Sequence, residues 1–188
     1  MRVTEDDLAH AAGQVGDPQV RHRGTIGGSL AHADPASDLP AVVLALGGTL
    51  VARGPDGERE IPSGQFYTGF LESVLAPDEL LTEIRVPKVA GAGWSFQKFN
   101  RRAQDWAIVG VAAVRNNGSS GVALVNMGST PIFAKAVVDA VVAGASAADA
   151  AEHAADDADP QSDINASVEY RTHLAKVLVR RALEQAGG

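Results

Sequence analysis

Residues 16–40 read Gly16-Asp17-Pro18-Gln19-Val20-Arg21-His22-Arg23-Gly24-Thr25-Ile26-Gly27-Gly28-Ser29-Leu30-Ala31-His32-Ala33-Asp34-Pro35-Ala36-Ser37-Asp38-Leu39-Pro40. At the centre, Thr25 to Ser29 combines two hydroxyls, two adjacent glycines and a run of backbone N–H groups. Lacking Cβ atoms, the glycines let the main chain approach a bulky anion, as in the nests that cradle phosphates. Arg21, His22 and Arg23 add positive charge just upstream, and Asp34 and Asp38 place carboxylates just downstream. A carboxylate repels phosphate but accepts hydrogen bonds from a hydroxyl or a ring N–H. The stretch thus describes a site for a ligand with a phosphate end and a polar organic end. On spacing alone, the same glycine pair also reads as a tight turn needing positive φ.

Ahead of this stretch, residues 4–15 carry a helix start, with Thr4 as N-cap and Glu5, Asp6 and Asp7 in the first turn. Asp17-Pro18 is expected to end that helix, because proline disfavours helical geometry in the residue before it. Behind it, Asp38 to Leu46 reads as a short apolar helix closed by Gly47-Gly48. Thr49 to Ala52 and Glu60 to Pro62 read as strands around the turn Pro55-Asp56-Gly57, Ser63 to Tyr67 as a short helical or irregular piece, and Leu80 to Val86 as a strand.

A glycine-rich joint at residues 89–93 precedes three strand candidates: Trp94 to Arg101, Ala107 to Arg115 and Gly121 to Asn126. The last two are expected to be joined by a hairpin turn at Asn116-Asn117-Gly118. Helical patterns follow at Lys135 to Val142, Ala147 to Ala155 and Ala166 to Gln185. In the last, Leu174, Val177, Leu178, Arg181 and Leu183 are expected on one largely apolar face. Asp156 to Pro160 reads as a solvated loop. Three strands followed by helices predict an α+β domain with helices on one sheet face.

The chain has 188 residues, 45% of them hydrophobic, enough for one large domain or two small ones. Its formal charge of -7 argues against nucleic acid, which is bound through basic clusters. With no cysteine, the sequence holds neither disulfides nor cysteine-ligated metal or iron–sulfur sites. His10, His22, His32, His153 and His173 show no metal-ligand spacing. No apolar run is long enough for a signal or membrane segment, so a cytoplasmic protein without membrane insertion is expected.

The order of segments narrows the reading further. Asp17-Pro18-Gln19-Val20-Arg21-x-Arg23-Gly24-Thr25-Ile26-Gly27-Gly28-Ser29, followed by Ala33-Asp34-Pro35-Ala36-Ser37-Asp38-Leu39-Pro40, resembles the second FAD-binding segment of molybdenum-hydroxylase flavoproteins. That family includes the medium subunit of aerobic carbon monoxide dehydrogenase and the FAD domain of xanthine dehydrogenase. The resemblance continues through Leu75 to Ile84 and through Phe96-x-Lys98-Phe99-x-Arg101-Arg102-x-x-Asp105-Trp106-Ala107-Ile108-Val109, and loosens after about residue 135.

The resemblance implies two units. A partial FAD-binding α/β subdomain would occupy residues 1–88, and a C-terminal domain of a three-stranded antiparallel sheet with helices would occupy 92–188. It implies that Thr25, Ile26, Gly27, Gly28 and Ser29 contact the FAD pyrophosphate and ribityl, and that Asp38 contacts the flavin; Asp38 also reads as an N-cap. Leu81, otherwise a core leucine, would offer main-chain contact near the isoalloxazine. Lys98, otherwise an exposed strand residue, would place charge by the flavin. Trp106 stands where many relatives carry a tyrosine beside the ring, and otherwise reads as a core tryptophan. No catalytic acid–base or metal-binding residues are implied on this chain.

By resemblance the intact complex has a molybdenum-cofactor large subunit and a small subunit with 2Fe–2S clusters. Electrons pass through the clusters to FAD and on to an acceptor, with a carbon monoxide dehydrogenase-like activity. Family members usually begin with a further subdomain bearing an Ala-Gly-Gly-x-Ser-type loop that this sequence lacks. Weak FAD binding by the chain alone is therefore expected, with the other loop on a separate N-terminal FAD subdomain or lost. The rival reading is a truncated, non-catalytic assembly module that keeps the fold without binding flavin tightly.

Overall fold

The computed structural model describes residues 3–89, 91–116 and 119–187. The chain is α+β, and its centre is an antiparallel sheet of four strands: β6 (Gly93–Phe99), β7 (Val109–Asn116), β8 (Ser119–Val125) and β9 (Ile132–Phe133), in that order. The period-two alternation of strands decides what lies on either side. Ala112, Val114, Ala123 and Val125 point into one core, whereas Val109, Val111, Ala113, Val122 and Leu124 point into another. Burial on both faces explains why β7 reads as an unbroken apolar run rather than an alternating one.

The first face is covered by α1 (Val3–Gly13) and α4 (Asp38–Ala45), and the second by α5 (Lys135–Val142), α6 (Ala147–Ala151) and α7 (Val168–Ala186). The three C-terminal helices thus lie on one sheet face, as expected, and the first half of the chain covers the other. Two glycines permit the close packing. A Cβ on Gly121 would lie 1.9 Å from the Ala45 carbonyl oxygen, and one on Gly93 would lie 1.9 Å from that of Ala186. Any side chain there would push the end of α4 or α7 off the sheet.

The remaining elements are α2 (Pro18–Arg23), α3 (Ile26–His32) and a small antiparallel sheet in the order β2 (Gly57–Pro62), β1 (Thr49–Gly54), β5 (Leu80–Arg85). A two-stranded ribbon of β3 (Tyr67–Gly69) and β4 (Glu72–Ser73) completes the first half. This ribbon and β9 escape the sequence reading because two or three residues show no periodicity. The hairpin turn expected at Asn116-Asn117-Gly118 falls on Asn117 and Gly118, outside the described residues; Asn116 pairs with Ser119 beside it.

Several local expectations are corrected. Helix α1 is described over Val3–Gly13, so Thr4 lies within it rather than capping it. Asp17-Pro18 opens a helix as well as following one: Asp17 caps α2 by accepting from Val20 N at 2.9 Å, with Pro18 as the first helical residue. On α7 the buried face is Arg171, Leu174, Ala175, Leu178, Val179, Ala182, Leu183 and Ala186, whereas Val177 is half-buried and Arg181 exposed. The loop at 156–160 is not merely solvated, because Asp157 accepts from Ala136 N at 2.7 Å at the start of α5.

Asp7 on α1 is fully buried with neither carboxylate oxygen partnered among the described residues, and burial pushes its carboxyl up to about 7. A carboxyl raised in the folded state holds its proton where the unfolded chain releases it. The contribution of Asp7 to stability is therefore fullest at acid pH and falls as pH rises from about 4 toward 7, by at most about 1.4 kcal/mol per unit. Asp7→Asn should flatten this slope and stabilise the chain at pH 8. Urea unfolding of both proteins across pH 4–8 checks it; parallel curves would refute it.

Candidate functional site

Helix α3 begins at the Gly-Gly stretch. Thr25 is its N-cap, extended in backbone, and its Oγ1 accepts from Gly28 N at 2.9 Å. Neither Gly27 nor Gly28 has positive φ, so the tight-turn reading is set aside: the pair forms the first turn of a helix. The glycines serve by leaving space. A Cβ on Gly27 would meet nothing within 4 Å, and one on Gly28 would meet Thr25 Oγ1 alone, at 3.0 Å. Capping engages Gly28 N–H, and Ser29 N–H donates to Thr25 O at 3.0 Å. The N–H groups of Ile26 and Gly27, at the helix start, are left without an intrahelical acceptor.

This turn borders a cavity of about 830 Å³, within the roughly 300–1,000 Å³ typical of small-molecule sites. Leu8, Ala12 and Val15 of α1 and its following loop form an apolar wall, Arg21 and Arg23 of α2 border it, and Asp38, Lys98 and Trp106 complete it. The Arg21 guanidinium is tied down, donating to Val15 O at 3.0 Å and Gly16 O at 3.1 Å.

The polar side of the cavity joins the two halves of the chain. Lys98 on β6 donates from Nζ to Asp38 Oδ2 at 2.7 Å and to Gln14 O at 3.1 Å, and the two charged side chains are only 4% and 3% exposed. Lys98 is thus not an exposed strand residue. Asp38 is not the N-cap of α4 either, because that position is Ser37. Burial pushes the Asp38 carboxyl above its ordinary value, and the Lys98 ammonium beside it offsets part of that rise. Asp38 Oδ1 is left buried without a partner among the described residues.

Trp106 sits at the cavity rim, 60% exposed, which removes the core-tryptophan reading. It also borders a second, smaller cavity of about 310 Å³. Of the residues singled out from sequence, Thr25, Ile26, Gly28, Ser29, Asp38, Lys98 and Trp106 line the main cavity. Gly27 belongs to the same turn without lining it. Leu81 is not among the lining residues; it lies on β5, half-buried against the core that Leu50 and Ala52 share, opposite Ala52.

The sequence reading missed the apolar wall from α1, whose Leu8, Ala12 and Val15 recur at helical spacing. It also missed buried Arg171, although Arg171, Leu174 and Leu178 recur at the three- and four-residue steps of an apolar face.

Comparison with known proteins gives two family matches. Residues 1–89 match the FAD binding domain in molybdopterin dehydrogenase, and residues 94–186 match the CO dehydrogenase flavoprotein C-terminal domain. The carbon monoxide dehydrogenase medium chain of Hydrogenophaga pseudoflava is 38% identical over 189 residues, covering 95% of this chain and 66% of that protein. The 6-hydroxypseudooxynicotine dehydrogenase complex subunit alpha of Paenarthrobacter nicotinovorans is 36% identical over 190 residues, covering 95% and 64%. A solved carbon monoxide dehydrogenase from Hydrogenophaga pseudoflava matches with a TM-score of 0.91 and 35% identity, over 100% of this chain and 73% of that one. The chain spans about two thirds of the length of these curated relatives.

Proposed function

This chain belongs to the FAD-binding, medium-subunit flavoprotein family of the molybdenum hydroxylases, whose cofactor is FAD, and we propose that its main cavity holds the flavin for electron transfer. The observation that carries this reading is the meeting of Asp38 and Lys98, sixty residues apart, beside the Thr25–Ser29 turn in one cavity.

The residues present fit FAD. The open first turn of α3 leaves room for a pyrophosphate that the Ile26 and Gly27 N–H groups and the Thr25 and Ser29 hydroxyls would contact. Asp38 Oδ1, buried and unpartnered, is an acceptor for a ligand hydroxyl or N–H once the local packing admits one. Lys98 would set positive charge near the flavin and hold Asp38 in place. Trp106 would cover one face of the ring, keeping water from it and limiting how an acceptor approaches. Leu81, outside the cavity, is proposed as a main-chain neighbour of the ring on the strength of family resemblance alone. Bound FAD supplies reversible electron-transfer chemistry; the chain's own part is to bind, orient and electrostatically tune it.

In the whole complex we propose that a molybdenum-cofactor subunit oxidises substrate and an iron–sulfur subunit delivers electrons to this flavin. A carbon monoxide dehydrogenase-like activity is the leading reading, while the second relative is named for 6-hydroxypseudooxynicotine instead. The substrate itself would be bound by the large subunit. A titration with FAD, followed by flavin fluorescence, tests the cavity's role. Saturable binding supports it, and no binding at any accessible concentration favours an assembly module that keeps the fold alone.

Trp106→Ala gives a sharper test of the rim. Because Trp106 is 60% exposed, unfolding free energy should change by no more than about 0.5 kcal/mol. A buried tryptophan would lose about 3–5 kcal/mol on truncation. The flavin spectrum and its reoxidation rate should both change. Loss of stability with unchanged flavin behaviour would sink the proposed cover.

A further inference from the structure

Asn126 lies directly after β8 and holds two of the site's segments at once. Its backbone N–H donates to Pro35 O at 2.8 Å, in the turn that leads into Asp38. Its side-chain Nδ2 donates to Ala107 O at 2.7 Å, one residue beyond Trp106. Its carbonyl accepts from Arg171 Nη1 at 3.4 Å, and the same nitrogen donates to Ile108 O. Arg171 is only 2% exposed and is fixed by an ion pair from Nη2 to Asp163 Oδ2 at 2.8 Å. Asn126 reaches these partners from a left-handed backbone, φ +60°, which asparagine tolerates better than most residues.

We propose that Asn126 is a positioning residue that holds the Trp106 segment in register with the Asp34–Asp38 turn. Its side chain fixes the rim through Ala107, while its backbone fixes the turn through Pro35. Arg171, anchored on α7, braces the same segment from behind through Ile108. The loop from Asn100 to Ala107 is otherwise closed at its base by Ile108 N–H donating to Phe99 O at 2.8 Å. Trp106 is thereby held as a partition between the main cavity and the smaller one behind it, whose lining includes Asn126 and Arg171. The consequence for flavin rests on the reading of the main cavity given above; the tether itself does not.

Asn126→Gly removes the side-chain tether alone. Glycine adopts the left-handed backbone without strain and keeps both main-chain bonds. In a Trp94→Phe background, 5-fluorotryptophan labelling leaves Trp106 as the sole reporter, since the chain has two tryptophans. Asn126→Gly should shift and broaden that fluorine signal in the flavin-free chain. An unchanged signal would overturn the tether.

A double-mutant cycle on FAD affinity tests the route of action. Asn126→Gly should weaken binding by about tenfold on its own, and by less than about twofold when Trp106 is already alanine. Additive losses would overturn action through Trp106, since a general loosening of the fold weakens both backgrounds alike. If Trp106→Ala leaves flavin untouched, the proposed flavin cover falls, and the fluorine signal alone decides the tether.

Discussion

Lys98→Met is expected to destabilise the chain by about 3–5 kcal/mol at neutral pH, the range found when one partner of a buried ion pair is removed. The methionine fills much of the lysine's volume, so the loss comes from charge rather than packing. Asp38 would be left buried with neither oxygen bonded to a cation. Burial already pushes its carboxyl above the ordinary value, and removing the ammonium pushes it further. A carboxyl raised in the folded state is best tolerated protonated. The variant should therefore lie closest to the parent at acid pH and lose stability as pH climbs above the ordinary carboxylate range. Adding Asp38→Asn removes the stranded charge and should recover most of the loss. Urea unfolding of the parent and both variants at pH 5 and pH 8 measures all three effects. Equal losses at both pH values, with no recovery in the double variant, would show that the pair is not what joins the two halves here.

Gly28→Val should weaken FAD binding by about a hundredfold or more, on the order of 3 kcal/mol. The cause is space, because Gly28 has ordinary helical φ and no strain to relieve. A Cβ there already meets Thr25 Oγ1 at 3.0 Å, and the two methyl groups of valine must go toward the cavity or against the capping hydroxyl. Either choice blocks close approach to the first turn of α3 or displaces the cap that forms it. Gly27→Ala is the control, since a Cβ at that position meets nothing within 4 Å. It should keep affinity within about tenfold of the parent if the open space is wide enough for one methyl. If Gly28→Val folds and binds FAD as the parent does, the turn is a helix start without a ligand.

Much of this organisation is legible in the sequence because it depends on local pattern. The span of α5 follows from its spacing, β1 from a short apolar run ahead of a turn, and β5 from its alternation. The glycine pair marks the α3 turn, although its reason differs: an extended N-cap and an open face rather than positive φ. What the sequence conceals is pairing across distance. Nothing near Lys98 announces that its partner is Asp38, sixty residues away. Alternation on β7 is masked because helices cover both faces, so the sequence does not show that α1 and α4 pack on the face opposite α7. Asn126 carries no local signature, since each of its contacts is with a segment remote in the chain. Leu81 shows the reverse case: only family resemblance sets it near the ring, since on its own it reads as a half-buried residue of β5 paired opposite Ala52.

One cavity between the α3 turn and the Lys98–Trp106 segment is proposed to receive FAD. Amide hydrogen exchange of the 188-residue chain, with and without saturating FAD, tests it most directly. The account predicts slowed exchange in peptides spanning residues 24–38 and, in the same titration, in peptides spanning 96–107, with the outer face of α7 unchanged. Protection confined to other segments, or absent while FAD is bound, would contradict it.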